Sequence, residues 1–159
     1  MNREAQHVYD LIVKPVLPLI GMDSPSARML IVCTGQVETG FDYLRQVLTG
    51  GNYGEGYGWW SQQQNSFTQN QRYLTRDSKL KDRILSACYL QSMPTIDAIL
   101  WNIRFAMCMA RVHYWQYDEP LPDADDLEGL GKYWLKYYNS GGKGRLERFM
   151  TECKDLIIL

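Results

Sequence analysis

Residues 24–40 read SPSARMLIVCTGQVETG, and this stretch decides the fold. Ser24 is a preferred helix N-cap, and Pro25 suits the first helical position because its missing N–H needs no partner there. Mainly apolar residues fill the following turns, and Gly40 supplies a typical helix stop. The stretch therefore predicts a helix from about Ser24 to Glu38, with the carboxylate of Glu38 at its C-terminal end.

Helical patterns dominate the rest of the chain as well. Apolar residues spaced three and four apart predict a long, buried helix over residues 95–116, with Leu100, Ile103 and Met107 in the core. Two prolines predict that residues 15–21 are extended rather than helical. Further helices are predicted over residues 3–13, 42–48, 78–90, 123–137 and 145–157.

Strand-like alternation of polar and apolar residues is not convincing anywhere in the chain. The sequence therefore predicts one all-α domain over residues 1–159, with a small β-hairpin in the loop 50–62 as the only β structure considered. The length of 159 residues, with 45% apolar and 22% charged residues, is typical of one globular domain.

Charge and hydropathy narrow the choice of partners. The net charge of -1 does not favour a nucleic-acid partner. No apolar run approaches the roughly 18 residues of a membrane span, so none is expected. The N-terminus lacks the apolar segment of a signal peptide, so we expect synthesis in the cytoplasm without classical export.

Cysteines and histidines do not form a recognisable metal or redox motif. The four cysteines lack C-x-x-C spacing and are interpreted as buried free thiols, with disulfides as the alternative. The two histidines, His7 and His113, lie far apart and share no ligand spacing, so neither a metal site nor a cofactor is expected.

The loop after the first long helix is rich in glycine and aromatic residues, reading GGNYGEGYGWWSQ over residues 50–62. A carboxyl group can donate a proton to a glycosidic oxygen, aromatic faces can hold sugar rings, and glycines allow a close approach of the backbone. Glu38 beside this loop thus suggests a glycan-cleaving site. The alternatives are that Glu38 is an ordinary solvated residue and that the loop aromatics serve the core or a protein interface.

The order of these segments resembles the lysozyme-like superfamily, in its soluble lytic transglycosylase and goose-type lysozyme branch. That branch has a helix ending in E-S-G-F and then a G-x-x-G-L-x-Q motif, to which residues 38–41 (ETGF) and 58–62 (GWWSQ) are similar. Thr39 stands in the place of serine, and Gln62 comes one position late. The branch's later Y-N-A-G segment is missing. Residues 138–141 (YNSG) resemble it in letters but lie beyond the long helix and are interpreted as a helix end.

The resemblance implies a lysozyme-like domain that cleaves the glycan strands of peptidoglycan. Glu38 would be the catalytic acid, protonating the bond between N-acetylmuramic acid and N-acetylglucosamine and then accepting the proton of the C6 hydroxyl. Its pKa would be raised by apolar neighbours such as Trp59 or Trp60. The implied substrate-binding residues are Thr39, Tyr53, Tyr57, Gly58, Trp59, Trp60 and Gln62.

A second resemblance covers the C-terminal part of the chain. Residues 110–115 (ARVHYW), 119–122 (EPLP) and 126–129 (DLEG) are similar to a family of small tailed-bacteriophage proteins. This implies a location in the virion, other virion proteins as partners, and wall cleavage during genome delivery. A non-catalytic virion component with the same fold is the main alternative. A free endolysin is less favoured, because the chain has neither a basic patch nor a wall-binding module.

Overall fold

Helices form most of the computed structural model, which describes residues 3–140 and 144–156. The mainly α-helical class predicted from the sequence is confirmed. In chain order the elements are α1 (Arg3–Val8), a π-helix (Tyr9–Val13), α2 (Lys14–Ile20), α3 (Pro25–Thr39), β1 (Arg45–Val47), β2 (Tyr53–Tyr57), α4 (Gln64–Arg76), α5 (Ser78–Ala87), α6 (Ala98–Trp101), α7 (Ile103–Trp115), α8 (Leu127–Tyr137) and α9 (Leu146–Cys153).

Helix α3 begins and ends as the sequence predicts. The hydroxyl of Ser24 accepts a hydrogen bond from the N–H of Ala27 at 3.0 Å, so Ser24 is the N-cap and Pro25 occupies the first turn. Gly40 is the C-cap, with a left-handed φ of 61° that favours glycine. Most of the helix between these caps is buried, which makes α3 part of the core.

The centre of the core is α7, with ten consecutive buried residues from Phe105 to Tyr114. The predicted single helix over residues 95–116 is wrong, because Asn102 interrupts it between α6 and α7. Asn102 has an extended backbone, and its side chain accepts a hydrogen bond from the N–H of Phe105 at 3.0 Å, so it caps a new helix. Met107 is buried as predicted, whereas Leu100 and Ile103 are only half-buried.

The N-terminal segment is more helical than its prolines predict. Residues 15–21 were expected to be extended, but α2 spans Lys14–Ile20 directly after the π-helical turn. Pro15 lies in the first turn of α2, where a missing donor is tolerated, and Pro18 forfeits one helical hydrogen bond. The burial of Val16, Leu17 and Ile20 on the core-facing side offsets that loss.

A small β-hairpin lies between α3 and α4. The predicted helix over residues 42–48 is wrong, because Arg45–Val47 forms β1 and pairs antiparallel with β2. Gly50 and Gly51 have φ angles of 90° and 83°, which suit the turn between the strands. The hairpin alternative for the loop 50–62 is thus confirmed for β2, while its partner strand lies upstream of that loop.

The remaining predicted helices are present with shorter bounds. The side chain of Asp77 caps α5, and that of Asp126 caps α8. Helix α4 occupies the polar stretch to which the sequence assigned no structure. The predicted helix end at residue 157 lies outside the described residues.

All four cysteines are buried free thiols, which confirms their interpretation. Across residues 3–140 and 144–156, no helix combines the length and apolar character needed to cross a bilayer.

Candidate functional site

The C-terminal end of α3 and the loop 50–62 are held together by Thr39. Its hydroxyl donates to the carbonyl oxygen of Trp59 at 2.7 Å and accepts from the N–H of Phe41 at 3.2 Å. Gly35 leaves room for the Phe41 ring, which a side chain at that position would overlap. The predicted juxtaposition of Glu38 and this loop is therefore present, but the Thr39 hydroxyl is used within the protein.

A polar cleft opens beside Glu38, with a volume of about 370 Å³. Glu38 is the only carboxylate among the described residues that line it, and no described lysine or arginine lines it. The other lining residues are Gln46, Ser61, Gln62, Gln63, Ser66, Asn70, His113, Tyr138, Asn139 and Ser140. The cleft therefore presents one acidic group among neutral hydrogen-bonding side chains.

The carboxyl group of Glu38 is held by one of its two oxygens. Oε1 accepts hydrogen bonds from the indole N–H of Trp134 at 3.0 Å and from the Asn139 amide at 3.3 Å. Within residues 3–140 and 144–156 no hydrogen bond to Oε2 is found. Burial raises the pKa of Glu38, and the two hydrogen bonds and the positive charge of Arg148 only partly oppose that effect. A protonated Glu38 would thus carry its proton on Oε2.

The two donors to Glu38 come from a distant part of the chain, 96 and 101 residues further on. Trp134 is fully buried on α8 and packs against Phe149 of α9, with ring centroids 5.5 Å apart. Asn139 follows the end of α8, and its side-chain oxygen accepts from the N–H of Gly144 at 3.0 Å. Packing of α8 on α9 therefore fixes the donors before any ligand is present.

Tyr138 lines the cleft beside Asn139. Its hydroxyl donates to the carbonyl oxygen of Trp60 at 2.6 Å, and its ring stacks on Tyr114 at 5.2 Å. Burial raises the pKa of Tyr138, and the nearby Glu38 adds to the effect, so Tyr138 remains a neutral phenol. Residues 138–140 do follow a helix end, as interpreted, but that end lies against Glu38. Their similarity to the Y-N-A-G string was the signal that could have located them.

The predicted aromatic platform for sugars is not built from the two tryptophans of the loop. Trp60 is fully buried and donates its indole N–H to the carbonyl oxygen of Ile31 at 2.9 Å, so its assignment to substrate binding is wrong. Trp59 is half-buried with its ring edge-on to Phe41 at 5.6 Å, and it does not line the cleft. The indole next to the Glu38 carboxyl is that of Trp134.

The other predicted loop residues also lie away from the cleft. Tyr53 and Tyr57 flank Arg45 on the hairpin, with the guanidinium carbon 3.9 Å from the ring centroid of Tyr57. Gly58 has a φ of 69° and packs against Ile99, where a side chain would overlap. Their sequence pattern reflects hairpin geometry and close packing. Of the predicted substrate-binding residues, only Gln62 lines the cleft with Glu38.

Helix α7 provides the inner wall of the cleft, to which two neighbouring side chains are anchored. The Gln62 amide donates to the carbonyl oxygen of Ala106 at 2.8 Å, and the Asn70 amide donates to that of Met109 at 3.0 Å. His113, on α7 itself, has Nε2 2.6 Å from the carbonyl oxygen of Tyr137. Because a carbonyl only accepts, Nε2 carries the hydrogen, and burial lowers the pKa of His113, which favours the neutral ring.

The described residues contain no group of three or more metal-ligating side chains, and His7 is exposed on α1, away from His113 of the cleft. Comparison of the chain with protein-family models, curated proteins and solved structures found no match.

Proposed function

We propose that this chain is a virion-associated protein of a tailed bacteriophage that cleaves peptidoglycan glycan strands during genome delivery. The observation that carries the proposal is the state of Glu38, a single half-buried carboxyl group with a raised pKa at the edge of an open polar cleft. A raised pKa favours the protonated form that a general acid needs.

The proposed reaction uses Glu38 twice. Oε2 first gives its proton to the glycosidic oxygen that links N-acetylmuramic acid to N-acetylglucosamine, and the bond from that oxygen to the muramic acid C1 breaks. The carboxylate then takes the proton of the C6 hydroxyl, whose oxygen bonds to C1 and closes a 1,6-anhydro ring. One carboxyl group is sufficient for this sequence, unlike the two of most glycosidases. The N–H groups that bond Oε1 hold the carboxyl in place throughout.

The surroundings of Glu38 also support the resemblance to lytic transglycosylases. The string at residues 138–141 is similar to the Y-N-A-G segment of that branch, and its Tyr138 and Asn139 lie at the cleft with Glu38. The Thr39 hydroxyl bonds the loop, and Thr39 does not line the cleft. We therefore expect Tyr138 and Asn139, rather than Thr39, to act with Glu38.

The test is the release of 1,6-anhydro muropeptides from purified sacculi, measured by liquid chromatography and mass spectrometry. We expect low activity from the isolated wild-type protein and none from Glu38→Gln, because glutamine keeps the shape of the side chain but cannot donate and recover the proton. Glu147→Gln, an exposed change on α9, should retain activity. Circular dichroism checks that both variants are folded.

Two results would contradict the enzymatic proposal. Release of anhydro products by Glu38→Gln at the wild-type rate would exclude Glu38 as the acid. A wild-type protein inactive on intact sacculi across a broad pH range would favour the second candidate function.

The second candidate is a non-catalytic virion component, and exposed apolar residues on the hairpin favour it. Leu44, Val47, Leu48 and Tyr53 are 42%, 58%, 46% and 69% exposed. A cluster of this kind is typical of a protein interface. In that case the hairpin would contact a neighbouring virion protein, and reconstitution with purified virion proteins would show binding that Val47→Asp abolishes.

A further inference from the structure

Two hydrogen-bond acceptors in the inner wall of the cleft have no partner. These atoms are Oε1 of Gln62 and Nδ1 of His113, on side chains that are 3% and 7% exposed and that both line the cleft. Leaving a buried acceptor unpaired is unfavourable, because the atom loses its hydrogen bonds to water on folding and gains none in return. Such groups are rare enough in folded proteins that each one calls for an explanation.

The orientations of both side chains are fixed by their other polar atoms. Gln62 uses its amide N–H for the carbonyl oxygen of Ala106, which leaves Oε1 as its second polar atom. His113 uses Nε2–H for the carbonyl oxygen of Tyr137, which leaves Nδ1 as a lone-pair acceptor. Exchanging the two Gln62 atoms, or moving the His113 proton, would break these bonds. The unpaired atoms are therefore acceptors.

We propose that the inner wall of the cleft is a subsite that binds the N–H and O–H donors of a neutral N-acetylated sugar unit through Gln62 Oε1 and His113 Nδ1. The subsite rests on the proposed function, because it would seat a glycan whose scissile bond lies at Glu38. Ala106, which anchors Gln62, and His113 are seven residues apart on α7, a rise of about 10 Å. The two acceptors therefore suit separate donors of an extended ligand.

The composition of the cleft disfavours charged ligands. An anion would find no arginine or lysine among the described lining residues. A metal ion would find one histidine, amides and hydroxyls with a single carboxyl group, which is a poor set for a divalent cation. A neutral ligand rich in donors pairs the two acceptors without burying an uncompensated charge. Both atoms have almost no exposed area, so a ligand donor reaches them only if the wall moves.

The test is a titration of Glu38→Gln, which binds without turnover, with the trimer of N-acetylglucosamine, followed by ¹⁵N resonances of the histidine rings. The chain has only two histidines, and His7 on α1 is an internal control. We expect the Nδ1 resonance of His113 to move upfield and saturate while that of His7 stays in place. A polyethylene glycol dimethyl ether of similar length has acceptors but no donors, and it should leave Nδ1 unchanged.

The indole N–H of Trp134 reports separately on ligand at the Glu38 end, because it bonds the side chain of residue 38. Movement of Trp134 without His113 would overturn the subsite and leave the proposed function standing. Movement of neither, at millimolar trimer, would also overturn the subsite, while release of anhydro muropeptides by the wild type would still uphold the proposed function.

A pair of variants tests the contribution of Gln62. Gln62→Met keeps the length of the side chain but loses the acceptor, and we expect it to weaken trimer binding about three- to tenfold, the loss of one neutral hydrogen bond. Gln69→Met, at an exposed position of α4, is the matched control and should bind like the parent. If a folded Gln62→Met binds the trimer as tightly as the parent, the proposal is contradicted. If Gln62→Met does not fold, the histidine spectra of the parent decide the question.

Discussion

The two regions closest to Glu38 differ in how they are built. The loop 50–62 follows Glu38 closely in the sequence, carries four of the aromatic residues, and forms a hairpin whose Tyr53 is 69% exposed. The end of α8 lies about a hundred residues away, yet it supplies both hydrogen bonds to the Glu38 carboxyl. Proximity in the sequence therefore located the loop beside Glu38, whereas the donors to its carboxyl group are brought there by packing of α8 and α9 on α3.

The two regions use the same residue type for different roles. Trp60 of the loop and Trp134 of α8 are both fully buried and both donate their indole N–H. Trp60 donates to a backbone carbonyl of α3 and so stabilises the fold. Trp134 donates to a carboxyl group of the cleft and so positions a chemical group. Burial alone does not distinguish these two roles, whereas the partner of the N–H does.

The largest effect on stability is expected at Trp60. Trp60→Ala removes a fully buried ring and the bond to Ile31, so we expect the free energy of unfolding to fall by about 3–5 kcal/mol. Urea denaturation measures this, with Trp101→Ala as a control because Trp101 is 65% exposed. A loss below about 1 kcal/mol, accompanied by loss of glycan binding, would instead restore Trp60 as a sugar platform.

A smaller effect is expected from Glu38→Gln, and it depends on pH. Because the folded pKa of Glu38 is raised above 4.5, the wild type gains stability from this group below pH 4.5 and loses it as pH rises through the folded pKa. Glutamine accepts the same two N–H groups and does not ionise. Below pH 4.5 the two proteins should therefore have similar stability, and above the folded pKa the variant should be more stable, by on the order of 1 kcal/mol.

Thermal unfolding across pH 3–8 measures that difference, and about 2–4 °C in Tm corresponds to 1 kcal/mol in a domain of this size. A difference in Tm that stays constant across the range would show that Glu38 is ordinarily solvated. The contrast between the two regions would then lose its basis, because the donors from the α8 end would not be holding a carboxyl group with a raised pKa.

Local signals in the sequence sufficed for the helix that carries Glu38. Ser24, Pro25 and Gly40 act within one turn of their own positions, so α3 could be predicted with its caps. The break at Asn102 was also local, but the strong apolar period on both sides obscured it. The hairpin depended on cross-strand pairing of Arg45–Val47, which a short polar-apolar stretch does not reveal.

The cleft itself could be predicted only in part. Glu38 and Gln62 were found because they lie in two motifs close in the sequence, whereas His113 and Asn139 enter through tertiary packing. His113 is buried on α7, and the sequence does not indicate that its ring lines the cleft. Tyr138 and Asn139 lie in a string that resembles Y-N-A-G in letters. Its position far along the chain favoured the interpretation as a helix end.

The smallest effect on stability is expected at Tyr53, which is exposed on the hairpin. Its ring lies 5.4 Å from the Arg45 guanidinium carbon and is otherwise open to solvent, so Tyr53→Ala should lower the free energy of unfolding by about 0.5 kcal/mol or less. Tyr133→Ala, at a tyrosine only 3% exposed on α8, is the matched control and should cost several times more. If Tyr53→Ala were as destabilising as Tyr133→Ala in urea, the hairpin would be an integral part of the core. Its exposed apolar residues would then no longer favour the proposed non-catalytic role at a protein interface.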